Sequence, residues 1–139
     1  ACLLACEEQL RGLIQEAIGS VPLDTEPRVA ITTAVEVFLA ALMANPALAY
    51  THFVAMYSAG PQARRARAQV QVLIASTLRE IAIRARRADP ALAVPSELLL
   101  IATIGGIGEL IAQWAEQGRI DQLGELAPTV IEFATRLLL

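Results

Sequence analysis

His52 is the single histidine in this 139-residue chain, so any catalytic site that requires an imidazole would have to include it. None of the four serines lies in the Gly-x-Ser-x-Gly pattern of a nucleophile elbow. The carboxylates Glu36, Glu80, Glu109 and Glu132 occur singly on separate predicted helices, not as a pair that would share acid and base roles. The sequence therefore predicts that the protein is not an enzyme.

Two further patterns bear on cofactors and metals. Cys2 and Cys6 lie four residues apart with no histidine or third cysteine near them in sequence, which is neither a disulfide framework nor a metal-binding spacing. Gly105, Gly106 and Gly108 resemble a dinucleotide-binding turn, but Ile111 follows where a further glycine is required and no strand–helix–strand unit surrounds them. We expect no metal and no cofactor.

Aromatic and polar side chains are concentrated in two neighbouring predicted helices and are faced by two later ones. This pattern predicts a largely apolar cavity with a few polar groups, as in small-molecule sites. The same side chains would also form an ordinary core, and both interpretations stay open. The candidate ligand-binding residues are Phe38, Leu42, His52, Phe53, Met56, Tyr57, Leu73, Thr77 and Thr103.

Seven arginines lie between Arg64 and Arg87, against the single acid Glu80. Such a patch is compatible with phosphate binding or with a solvated helix face. No aromatic residues are interleaved with the arginines, and the net charge of the chain is −3. The sequence favours a solvated face, with Arg67 on its outer side.

The apolar residues recur every three or four positions throughout, and no segment alternates with a period of two. The predicted fold is all-α, a single domain of six antiparallel helices. For the second helix the candidate N-caps are Thr25 and Asp24, and for the fifth Ser96. The six helices are expected over residues 2–18, 27–44, 47–58, 62–88, 96–117 and 125–139.

The fifth predicted helix is apolar on nearly all sides, since Glu109 is the only charge between residues 98 and 114. The chain as a whole is 55% hydrophobic with a mean hydropathy of +0.52. A membrane span needs about 20 consecutive apolar residues. Leu98–Gly108 is an uncharged run of 11, and Val37–Ala63 is interrupted by polar residues and proline. We therefore expect no membrane span and assign the surplus apolar surface to a partner subunit.

One face of the fifth helix carries small residues, which allow a second helix to approach closely. The last helix places apolar residues at a similar spacing. The small face predicts that the fifth helix contacts a second copy of the chain, so that the protein is a homodimer. The predicted interface residues are Ile101, Gly105, Gly108, Ala112, Val130, Phe133 and Leu137.

The segments IGGIGELIAQWAEQG and LGELAPTVIEF resemble the C-terminal domain of TetR-family transcriptional regulators. The resemblance extends over nearly all 139 residues. It implies a cytoplasmic homodimer that binds a small, mostly apolar effector. The resemblance also implies that residues 96–117 and 125–139 are the dimerisation helices, which form a four-helix bundle across a two-fold axis.

In that family a separate N-terminal helix-turn-helix domain binds operator DNA. We expect that domain to lie outside this chain and residues 1–18 to be the helix that connects to it. The alternative is a structural helical dimerisation module that binds no ligand.

Overall fold

The computed structural model describes residues 2–22 and 24–139, with the side chains of residues 2–4 excluded. These residues form six helices and contain no strand, which confirms the prediction of an all-α bundle. The third helix consists of three consecutive pieces: α3, a π-helical turn and α4. The elements are α1 (Cys2–Gly19), α2 (Pro27–Ala44), α3 (Pro46–Tyr50), the π turn (Thr51–Ala55), α4 (Met56–Ser58), α5 (Pro61–Ala88), α6 (Glu97–Glu116), a 3-10 segment (Ile120–Leu126) and α7 (Ala127–Leu138).

Local chemistry accounts for where the helices begin. Proline occupies the first turn of α2, α3, α5 and α7, where its missing N–H costs nothing. The Ser96 hydroxyl accepts a hydrogen bond from the Leu99 N–H at 3.1 Å, which confirms the predicted cap of α6. The predicted caps of α2 were wrong: the Glu26 carboxylate accepts from the N–H groups of the first turn, since it is closer to that turn than Thr25 or Asp24.

The third helix contains an irregularity that the sequence did not predict. Thr51–Ala55 forms a π-helical turn, although the backbone stays helical from α3 into α4. A π turn holds one residue more than an α turn, so the side chains after it are rotated about the helix axis. His52 and Phe53, both buried, lie in this turn.

The connection between α6 and α7 is also more regular than predicted. Residues 118–124 were expected to form a turn, but Ile120–Leu126 is a 3-10 segment that begins after Gly118, whose φ is +72°. Leu123 and Leu126 are buried and anchor the segment to the core. The segment packs on α2, where Met43 lies beside Gly124. It fixes the position at which α7 begins.

The hydrophobic core joins α1, α2, the third helix and α6 to the 3-10 segment and α7. Leu42 and Ile111 are completely shielded from solvent at its centre. The core members are Cys6, Leu10, Leu39, Leu42, Leu48, Ala49, Phe53, Ile111, Ala112, Leu123, Leu126 and Val130.

The predicted dimer interface divides into buried and accessible residues. Gly108, Ala112 and Val130 are buried within the chain's own fold, so they offer a second chain almost no surface. Ile101, Gly105, Phe133 and Leu137 are half-buried and remain accessible, and they stay predicted interface residues.

The glycines of α6 have different surroundings. A Cβ on Gly106 would lie 2.9 Å from Cζ of Phe133, whereas a Cβ on Gly108 would lie 3.4 Å from Nη2 of Arg67. A Cβ on Gly105 would meet nothing within 4 Å. Gly106 therefore permits α7 to pack closely, Gly108 faces the bundle interior, and Gly105 faces outward.

Two helices, α2 and α6, are long and apolar enough to cross a membrane by length and composition alone. In the most apolar 18 residues of each helix, 11% are buried within the fold in α2 and 33% in α6. Core helices of soluble proteins pass the same test, so this is weak evidence for a membrane location. The low buried fractions indicate that both helices retain accessible apolar surface.

We expect Gly12→Ala to raise the free energy of unfolding by about 1 kcal/mol, because alanine is the better helix former and a Cβ at Gly12 meets nothing within 4 Å. Gly106→Ala should raise the free energy of unfolding much less, since the new Cβ would press on the Phe133 ring. Urea unfolding at a fixed protein concentration measures both effects. Equal stabilisation by the two substitutions would show that Gly106 is not needed for helix packing.

Candidate ligand-binding cavity

A cavity of about 170 Å³ lies between α1, α2, the third helix, α5 and α6, and α7 contributes one residue to its wall. Its wall is apolar except for one histidine, one arginine and one glutamine. The lining residues are Leu10, Ile14, Ala17, Ile18, Ala34, Val35, Phe38, Leu39, His52, Phe53, Arg67, Val70, Gln71, Ile74, Leu78, Ile104, Ile107, Gly108, Ile111 and Val130.

The helical period explains how the wall is built. On α5 the lining residues follow one another at intervals of one to four positions from Arg67 to Leu78, and on α6 from Ile104 to Ile111. Side chains at such spacing share one face of a helix. The two stripes form two parts of the cavity wall, and Arg67 and Phe53 lie against the position that a side chain on Gly108 would take. The spacing of the lining residues along α5 and α6 therefore accounts for the part of the wall that these two helices form.

His52 is held in the cavity wall by a carboxylate from another helix. Its Nδ1 lies 2.5 Å from Oε1 of Glu7 in α1, and the two side chains are only 5% and 4% exposed. The His52 ring also meets the edge of Phe53, with centroids 4.7 Å apart and planes at 82°. Because Nδ1 is engaged by Glu7, Nε2 is the ring atom left to bond a ligand.

The other oxygen of Glu7, Oε2, is buried and has no hydrogen-bond partner among the described residues. An unsatisfied buried oxygen of this kind is costly. The Glu7–His52 pair therefore fixes the distance between α1 and the π turn at a cost that packing must offset elsewhere.

Arg67 provides the positive charge in the wall. Its guanidinium carbon lies 4.5 Å from the centroid of the Tyr57 ring, and Nη2 lies near Gly108. Its Nε is buried and has no hydrogen-bond partner among the described residues. The sequence analysis had placed Arg67 on the solvated side of α5, and the structure corrects this.

Three of the nine predicted ligand-binding residues, Phe38, His52 and Phe53, line this cavity. Leu42 and Met56 do not, and both side chains are fully buried elsewhere in the core. Tyr57 and Leu73 are 45% and 40% exposed and lie outside the wall. The Tyr57 ring nevertheless contacts the guanidinium group of Arg67.

The two predicted threonines also lie outside the cavity wall. The Thr77 hydroxyl donates to the Leu73 carbonyl at 2.9 Å, and the Thr103 hydroxyl donates to the Leu99 carbonyl at 2.8 Å. Each hydroxyl is therefore satisfied within its own helix, as is common for helical threonines. Whether any of the nine residues binds a ligand stays a prediction.

Gln71 in the wall was not predicted from the sequence. Two charged residues, Glu7 and Arg67, were also not predicted as site residues. A recognisable signal existed for each, because Glu7 falls on the apolar stripe with Leu10 and Ile14, and Arg67 falls on the stripe with Ile74. A charge on an apolar helix face indicates a buried partner or a site.

Arg64, Arg65, Arg79, Arg84, Arg86 and Arg87 are exposed. The ion pairs among the described residues include none of these six arginines; Glu125, for example, pairs with Arg119 at 3.6 Å. Within the described residues no group of three His, Cys, Asp or Glu side chains is arranged to hold a metal ion. The side chain of Cys2 lies outside the described part of the chain.

A second depression of about 490 Å³ lies between α7 and Arg28. Its wall contains the exposed charged residues Arg28, Glu132 and Arg136. Because these side chains are open to water, this depression does not shield a ligand from solvent. The cavity between α1 and α6 is the better candidate site.

We expect Glu7→Leu to lower the free energy of unfolding by about 1–3 kcal/mol, because it leaves the buried His52 ring without its partner. Glu7→Gln should cost less, since its amide can still bond Nδ1. The double variant Glu7→Leu/His52→Leu should recover part of the loss, because both polar groups are then removed. Urea unfolding of these variants and of the single variant His52→Leu measures the coupling. Strictly additive losses of stability from the two single variants would contradict it.

Comparison of the chain with protein-family models, with functionally characterised proteins and with solved structures finds no match. Function is therefore argued from the cavity, its charges and the accessible surface of the bundle.

Proposed function

We propose that this chain is the effector-binding and dimerisation domain of a TetR-like transcriptional regulator in the cytoplasm. The effector is a small, mostly apolar molecule, and operator DNA is contacted by a separate helix-turn-helix domain. The observation that carries this proposal is the apolar cavity inside the helix bundle, to which α1 contributes part of the wall. The motif resemblance described above supplies the family.

The size and chemistry of the cavity support binding of a compact molecule. An apolar cavity of about 150 Å³ is sufficient to bind benzene. The present cavity is of similar size, at about 170 Å³, and has three polar groups in an otherwise apolar wall. Few polar groups in an apolar wall are typical of small-molecule sites.

The position of α1 supports a sensing role. Leu10, Ile14 and Ala17 of α1 line the cavity, and Glu7 on the same helix bonds His52, which lines the cavity from the third helix. A ligand that binds one arrangement of α1 more tightly than another shifts the population toward that arrangement. In the proposed regulator α1 leads to the DNA-binding domain, so this shift would change how operator DNA is bound.

The accessible side of α6 supports dimerisation. Leu98 is 78% exposed, and Ala102 and Gly105 lie one and two turns along the same side of the helix. An exposed large apolar residue beside small ones suits close contact with a second helix. The same side contains Glu109, which a symmetric contact would place at its edge.

Toluene is expected to bind the wild-type protein, and binding should be lost in Ala34→Leu, since the larger side chain occupies the cavity. Ala40→Leu, on the exposed side of the same helix, is the matched control and should bind normally. Ligand-observed NMR measures both. Absence of toluene binding to the wild type would favour the alternative, a dimerisation module without a ligand.

Gly105→Arg should convert the proposed dimer into a monomer, because it places a long charged side chain on the accessible side of α6 without a clash inside the chain. Gly12→Arg makes the same change on an open side of α1 and should leave the dimer intact. Sedimentation velocity measures the mass, and circular dichroism verifies the fold. A wild-type protein that sediments as a monomer would contradict the dimerisation role.

A further inference from the structure

Arg67 lies in the cavity wall without an ionic partner. The ion pairs among the described residues join other side chains, and none includes Arg67. Its Nε is buried and makes no hydrogen bond within the described chain. Arginine remains protonated at any physiological pH, so it cannot relieve this situation by losing its charge.

The guanidinium group is held in one place. The Tyr57 ring covers it at 4.5 Å, and the backbone of Gly108 lies on another side, so close that a Cβ there would be 3.4 Å from Nη2. The Phe53 ring lies against the same point of α6. These contacts restrict the side chain before any ligand is present, which lowers the entropy lost on binding.

The environment is unfavourable for a lone cation. A charge among apolar groups is costly unless it is paired and hydrogen-bonded, and the aromatic ring of Tyr57 provides only part of that compensation. Arg67 as a whole is half-buried, so its position lies between the apolar cavity and the exposed Tyr57. An anion here would pair with the cation while its attached apolar group enters the cavity.

We propose that Arg67 binds the carboxylate of an amphipathic organic acid whose apolar part occupies the cavity. This rests on the proposed ligand-binding function and specifies the class of ligand. The planar guanidinium matches a carboxylate through two parallel N–H···O bonds, which a neutral polar group cannot reproduce. Gln71, one turn further along α5 and also in the wall, supplies an additional N–H donor.

Benzoate and benzamide test this proposal, because they have nearly the same shape and differ in charge. The wild-type protein should bind benzoate at least about tenfold more tightly than benzamide, as expected for a charge-assisted hydrogen bond. Arg67→Gln should abolish that preference and still bind toluene. Arg64→Gln removes an exposed arginine from the same helix and should keep the preference. Isothermal titration calorimetry measures each affinity.

Each outcome is decisive. Equal binding of benzoate and benzamide by the wild type, or a preference that survives Arg67→Gln, overturns the assignment of Arg67 but leaves the cavity itself supported if toluene binds. Failure of all three compounds to bind the wild type overturns both the anion site and the proposed function. Should Arg67→Gln fail to fold, the salt dependence of wild-type binding decides: only benzoate binding should weaken as salt is raised.

Discussion

The hydrogen bond between Glu7 and His52 joins the first helix to the irregular turn of the third, and the cavity lies beside it. A carboxylate and an imidazole that are both almost completely buried must stay paired, because either one alone would be left unsatisfied in an apolar interior. The π turn is what presents His52 and Phe53 together on this side of the helix. One polar contact thus determines how α1 lies against the wall that it helps to form.

Helix boundaries could be predicted within about two residues because prolines, glycines and Ser96 mark them in the sequence. The cavity wall was harder to predict. The π turn rotates the residues that follow it, so that Met56 points into the core and Tyr57 outward, whereas an uninterrupted α-helix had been assumed. Arg67 was assigned to solvent because charged side chains are usually exposed, although its helical position falls on the apolar stripe with Ile74. Three-dimensional packing decides such positions.

The ionisable side chains at the cavity differ in whether the chain itself supplies them with a partner. Glu7 and His52 bond one another within the chain, and only the second carboxylate oxygen of Glu7 is left without a partner among the described residues. Arg67 contacts the Tyr57 ring and the backbone near Gly108. Among the described residues of the wall, it is the one charged side chain without an ion pair. The wall of this cavity is therefore apolar over most of its area and carries an unpaired positive charge at Arg67. An amphipathic ligand can match both parts, with its anionic group at Arg67 and its apolar group in the cavity.

The glycines of α6 connect the cavity to the proposed subunit contact. Each glycine in a helix costs about 1 kcal/mol relative to alanine. Close packing offsets this cost at Gly106, where Phe133 occupies the space of the missing side chain, and at Gly108, where Arg67 and Phe53 do so. Nothing inside the chain offsets it at Gly105. The offset at that position would have to come from outside the chain, which is the physical reason for placing a second subunit there.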